Sequence, residues 1–182
     1  MQLTKAQQEK VPEALSAFGY KNKMAAPKLM KVVVSSGTGS GMKKDRERNN
    51  LVADRLMRIT GQKPTLRVAK MSVASFKIRE GDPVGLTVTL RGARMNHFVD
   101  KLIHIALPRT KDFRGIDRKV VDSIGNMTIG IKEHSIFPET SDEDLRDVFG
   151  LAITLVSSAK TKAEALAFFE HLGIPFKKEI AK

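Results

Sequence analysis

Cysteine is absent from the 182 residues, so no disulfide staples the chain and no thiolate can act as nucleophile or metal ligand. That absence is compatible with a reducing compartment. The N-terminal MQLTKAQQEK lacks the apolar core of a secretory signal, and no stretch approaches the roughly 20 apolar residues of a membrane span. The expectation is a soluble, cytoplasmic protein with no membrane partner. Acids are scarce, 20 against 32 Lys and Arg, and the resulting +12 favours a polyanion through counterion release. The excess is regional: residues 1–138 carry 26 basic and 12 acidic side chains, whereas residues 139–182 carry 6 and 8. There is no internal repeat and no low-complexity linker. A chain of this length that is 41% hydrophobic can bury roughly 70% of its unfolded surface in one core, so a single domain over 1–182 is expected.

What is present centres on residues 63–108, which read as strand, long basic loop, strand and helix. Leu86, Val88 and Leu90 alternate with Thr87 and Thr89, giving one apolar face and one that offers hydroxyls. The spacing of Met95, Phe98, Val99, Leu102, Ile103 and Ala106 predicts a helix over 93–107 with one stripe packed on a sheet, ended by Pro108. Between the strands, residues 71–85 carry Phe76, Lys77, Arg79 and a Gly-Asp-Pro break, a loop that reaches outside the fold.

Around this unit, a helix interrupted at Val11-Pro12 is expected to end near Gly19, anchored by Leu15 and Phe18. Three consecutive valines put strand 28–36 in a central position. A helix over 42–60 sets Val52, Leu56 and Ile59 on one face and ends at Gly61. Strands are expected at 126–133 and 150–158, with Ser141 capping a short helical turn between them. The last helix opens with a Thr161–Glu164 capping box, buries Ala165, Leu166, Phe169 and Leu172, and stops at Gly173. The fold class this pattern points to is α+β, an antiparallel sheet with helices packed on one face.

Candidate chemistry is thin. GTGSGMKK resembles a phosphate cradle, but no Ser or Thr follows the lysines as a Walker loop requires, and Met42 stands where the dinucleotide fingerprint needs its third glycine. A tight turn, or a backbone approach to an RNA phosphate, explains it as well. His97 and His104 are seven residues apart on one helix, about 10 Å in rise, and cannot share a metal. Asp142, Glu143, Asp144 and Asp147 lack the alternation of a calcium loop. There is no GxSxG elbow, and helix 42–60 lacks the partner helix of a DNA-reading motif. No enzyme, cofactor, metal or small-molecule substrate is expected.

GQKP (61–64), SVASFKIREG (72–81), VTLRG (88–92), PRTKDFRG (108–115), GNMTIGIKE (125–133), IFPE (136–139) and GIPFKK near the end resemble, in this order, the bacterial-type ribosomal protein L five family of the large subunit. The resemblance runs from KVPEALSAFGY to Lys178. It implies a protein in the ribosome that binds 5S rRNA in the central protuberance beside large-subunit rRNA, contacts the P-site tRNA and bridges to the small-subunit head protein S thirteen.

By the same resemblance, Ser35, Gln62, Lys63, Thr89 and Arg91 would face 5S rRNA, supported by Lys28, Lys31 and Lys43. Ser72, Phe76, Lys77 and Arg79 would face tRNA. Lys111, Asp112, Arg114, Asp142, Glu143 and Asp144 would form the protein bridge. The chain departs from the family pattern at Ser35, where asparagine is usual, in SGTGSG, and at Ser123-Ile124, where the family has Gly-Arg. Glu179 to Lys182 extend past the usual family end.

Overall fold

A computed structural model describes residues 3–20, 22–39, 48–111, 113–140 and 148–177. Among these residues four α-helices, α1 (Leu3–Ala14), α2 (Arg48–Thr60), α3 (Gly92–Lys101) and α4 (Lys162–His171), accompany five strands, β1 (Leu29–Gly37), β2 (Thr65–Val68), β3 (Pro83–Leu90), β4 (Met127–Ile131) and β5 (Leu151–Ser157). The strands form one antiparallel sheet in the order β2-β3-β1-β5-β4, which is the α+β class expected. The valine-rich strand is central, as its composition implied. Val32 and Val34 are fully buried while Val33 is half-buried, so β1 is covered chiefly on one side.

The chain packs as two compact units, the first drawing on residues before 33, Leu90–Ile129 and residues from Thr154 onward. Here α1 runs through Pro12 to Ala14 without the interruption expected; a 3-10 turn at Ser16–Phe18 follows, and Gly19 closes it at φ +69°. Val11 and Leu15 anchor the segment, but Phe18 is 43% exposed, against expectation, because it lies in the 3-10 turn beyond the amphipathic stripe. Helix α1 lies against α3 and α4. The Asp100 carboxylate accepts from the Thr4 amide (2.7 Å) and hydroxyl, and Asn96 Oδ1 accepts from Gln8 Nε2 at 3.2 Å. The predicted stripe of α3 is buried throughout, but beyond Lys101 the backbone widens to a π-helical turn, Leu102–Ala106, with the Leu107 amide on the Leu102 carbonyl at 2.9 Å.

Thr161 caps α4 as predicted, its hydroxyl accepting from the Glu164 amide at 3.3 Å. The return half of the box differs. Glu164 is buried, accepts from the Lys160 amide at 2.8 Å and from the Tyr20 hydroxyl at 2.5 Å, and so ties three segments together. Burial, then the Glu164 carboxylate, raises the Tyr20 phenol above its ordinary pKa. Phe168 takes the core place expected of Leu166, which is only half-buried.

The second unit comprises Val33–Thr89 and Gly130–Ile153. Val52, Leu56 and Ile59 of α2 are buried as predicted, Asp54 and Arg58 pair at 2.9 Å one turn apart, and Gly61 ends the helix at φ +68°. Residues 42–47 of the predicted helix and the Ser141 cap lie outside the described residues. Strands β1 and β3 approach so closely that a Cβ on Gly85 would stand 2.9 Å from the Ser36 carbonyl. Only a glycine fits there. Thr87, expected on the hydroxyl face, is buried, and its hydroxyl turns to the Val34 carbonyl at 3.4 Å.

Candidate nucleic-acid interface

In the second unit, β2 and β3 form an antiparallel pair with Thr65 opposite Thr87 and Leu66 opposite Leu86. That register returns the chain after α2 to the end of β3. Gln62 donates its side-chain amide to the Thr89 carbonyl at 3.4 Å, although the two are 27 residues apart. Lys63 and Thr89 are exposed, and Thr60 steadies the turn by bonding the Leu56 and Gln62 carbonyls at 2.6 and 3.1 Å. Three of the residues singled out by resemblance are thus brought together on a stiff support. Ser35 is half-buried on β1, beside Ser36, whose hydroxyl is committed to the Gly150 carbonyl at 2.8 Å.

In the first unit, Arg91 is exposed at the extended N-cap of α3. Lys28 exposes its side chain while its amide bonds the Ser158 hydroxyl at 2.9 Å, and Lys31 is half-buried. Lys43 lies outside the described residues.

The loop between β2 and β3 is a structured tip. Ala69 and Asp82 are joined by an amide-to-carbonyl bond of 2.8 Å, Val73 and Ile78 form a small antiparallel bridge, and a 3-10 turn over Ala74–Phe76 is closed by Lys77 in the left-handed region at φ +53°. Ser72 is partly committed, its hydroxyl accepting from the Glu80 amide at 3.0 Å, and Asp82 accepts from the Arg79 amide at 2.8 Å. Phe76, 69% exposed, turns outward with Lys77 and Arg79.

Of the expected bridge residues, Lys111 and Arg114 are exposed, while Asp112, Asp142, Glu143 and Asp144 lie outside the described residues. His97 and His104 are exposed, as a polar stripe requires. Among the described residues no group of His, Asp and Glu is placed to hold a metal, and no helix is long and apolar enough to cross a membrane.

Two features escaped the sequence. Arg55 and His134 are both buried, the guanidinium contacts the imidazole Nε2 at 3.1 Å, and the ring stacks on Phe149 at 4.2 Å. No periodicity signals this, because an arginine among apolar helix positions reads as an ordinary solvated charge. At the departure Asp122-Ser123-Ile124, the Asp122 carboxylate accepts from the Asn126 amide at 2.7 Å and the Ile124 amide at 3.1 Å. Those bonds, the Asn126 amide foremost, hold its pKa below the usual carboxylate value and leave Ile124 69% exposed at the apex.

A basic α+β protein with exposed cations on structured turns has the surface that suits a nucleic-acid partner. Residues 22–79 match the model of ribosomal protein L5, and residues 83–176 match that of the C-terminus of the same ribosomal family. A large ribosomal subunit protein uL5 of Carboxydothermus hydrogenoformans is 45% identical over 172 residues, covering 94% of this chain and 96% of the relative. Those of Natranaerobius thermophilus and Halothermothrix orenii are each 47% identical, over 91% and 93% of this chain and 92% and 94% of the relatives. The chain belongs to the ribosomal protein L5 family, whose members are structural, non-enzymatic proteins of the large ribosomal subunit.

Proposed function

We propose that the protein binds 5S rRNA as a folded partner in the large subunit, contacts the P-site tRNA through the β2–β3 tip and bridges to the small-subunit head protein S thirteen. The observation that carries the 5S reading is the Gln62–Thr89 contact. It joins a turn bearing exposed Lys63 to a strand end bearing an exposed hydroxyl, with Arg91 two residues further on. Structured RNA is recognised mostly through shape, phosphates and 2′-hydroxyls, which suits cations, amides and hydroxyls on a stiff surface. Ser35, Lys28, Lys31 and Lys43 support the same role. The tip supports the tRNA reading because Lys77 and Arg79 can meet phosphate and ribose without reading bases, with Ser72 and Phe76 beside them. For the bridge, the support is composition: Asp142, Glu143 and Asp144 suit a basic partner, whereas Lys111 and Arg114 have the sign of that partner.

Filter binding of 5S RNA, an unrelated structured RNA of equal length and duplex DNA, at two salt concentrations, tests the central claim. Arg91→Ala should weaken 5S binding by about 1–3 kcal/mol, as for a charge-assisted hydrogen bond. Equal affinity for the unrelated RNA would sink the specific reading.

A further inference from the structure

Strand β2 is the terminal strand of the sheet and, among the described residues, pairs with β3 alone. Its outer row of amides and carbonyls therefore has no strand beside it, which is the condition under which another chain can extend a sheet. All four of its side chains are exposed, although two of them are large and apolar. Leu66 stands directly opposite Leu86, and residues opposite each other on paired strands share a face of the sheet. Leu86 and its neighbour Val88 are buried on that face, whereas Leu66 is 47% exposed and Val68, two residues along and on the same side of the strand, is 52% exposed. The apolar cover over the sheet ends at β3, one strand short of the edge.

The charge beside this uncovered strip has one sign. No acid occurs from Gly61 to Arg79, and Arg67 and Lys70 are exposed. Alternation puts Arg67 on the opposite side of the strand from Leu66 and Val68. The nearest acid across the pairing, Asp82, directs its carboxylate to the Arg79 amide at 2.8 Å. A second copy of the chain would bring Arg67 and Lys70 against their own like, which opposes pairing of two β2 edges. RNA would satisfy the cations but would leave Leu66 and Val68 without apolar cover. A peptide strand with apolar residues on one side and acids on the other satisfies the ladder edge, the apolar strip and the cations together.

We propose that β2 is a docking edge for another protein, which adds an extended segment of alternating apolar and acidic residues to the sheet, its apolar side covering Leu66 and Val68 and its acids meeting Arg67 and Lys70. Main-chain hydrogen bonds along the edge hold such a segment, and the alternate side chains select it. The inference goes beyond the 5S reading and leaves Gln62, Lys63, Thr89 and Arg91 to that role.

The probe is a short peptide alternating valine and glutamate, with every second amide N-methylated so that one edge can pair with β2 and the peptide cannot stack on itself. Titrated into the full chain labelled with nitrogen-15, it should shift the amide resonances of Thr65–Val68. The counterpart with lysine for glutamate should bind about tenfold more weakly, as expected for two or three exposed charge pairs. Leu66→Ser/Val68→Ser should weaken the glutamate peptide by about tenfold through lost apolar burial, with the melting temperature little changed. Arg67→Glu/Lys70→Glu should reverse the preference between the two peptides, a readout that a merely misfolded edge would not give. Absent binding, shifts away from β2, equal binding of the two peptides, or full affinity in Leu66→Ser/Val68→Ser overturns the proposal. A single-stranded RNA oligonucleotide that moves the same resonances as tightly as the glutamate peptide overturns it in favour of a polyanion site. Concentration-dependent shifts at β2 without peptide, together with a dimer in sedimentation, overturn it in favour of a second copy.

Discussion

Backbone conformation at single residues makes sharper demands here than side-chain chemistry. Gly115→Ala has to place a Cβ 2.8 Å from the Lys177 backbone nitrogen at a φ of +94°, where the parallel bridge of Ile116 to Phe176, held by the Ile116 amide on the Pro175 carbonyl at 2.8 Å and the Lys177 amide on the Ile116 carbonyl at 2.9 Å, cannot yield cheaply. A loss of about 1–3 kcal/mol in urea unfolding is expected, the usual cost of such strain. Gly130→Ala, in an ordinary conformation with nothing within 4 Å, should stay near neutral and serves as the control. Asp122 provides a pH test. Its carboxyl is held low by the Asn126 amide and its neighbours, so its contribution is present above the unfolded carboxylate pKa and is lost as pH falls through the depressed folded one. The stability gap between the unaltered protein and Asp122→Ala should be constant at neutral pH and close on acidification; a gap independent of pH down to strong acid would show that the ionised form is not preferred in the folded state.

Elements are held by contacts that their own sequences do not announce. Helix α2 buries an aliphatic face, but Arg55 turns into the same interior to meet His134, on which the Phe149 ring stacks. Arg55→Met keeps much of the stem packing and removes the bond, so about 1.5–3 kcal/mol should be lost, the range for a hydrogen bond involving a charged group. A change within 0.5 kcal/mol would mean that packing alone docks the helix. The β2–β3 tip behaves as a closed element, with its own bridge, turn and side-chain bonds. Replacing residues 71–79 by a short glycine linker should therefore leave 5S binding intact while lowering P-site tRNA occupancy in assembled ribosomes. Loss of both would make the tip part of the fold.

At the scale of the whole molecule the charge is divided: a strongly basic body, and an acid-rich ETSDEDLRD at 139–147. Among RNA phosphates such a segment is repelled, so it should face solvent or a basic protein. Asp142→Asn/Glu143→Gln/Asp144→Asn should weaken subunit association, more at low salt than at high, with little change in melting temperature. A variant that melts several degrees lower yet associates normally would assign these acids to local helix-end stabilisation.

The residues that alternate or recur every three to four positions were legible because burial of one face needs only local periodicity: β1, β3, the stripes of α2 and α3, and the Thr161 cap all lie where that logic places them. The ordered motifs were also enough to place the chain in its family, because motif order survives without any knowledge of contacts. Tertiary structure alone decided the rest. It turned the Glu164 half of the capping box toward Lys160 and Tyr20, hid Thr87, exposed Phe18, drew Arg55 onto His134, and brought Gln62 to Thr89. Each of these depends on which distant segment supplies a donor, an acceptor or cover. A pattern along one segment carries no record of the groups that packing will set against it.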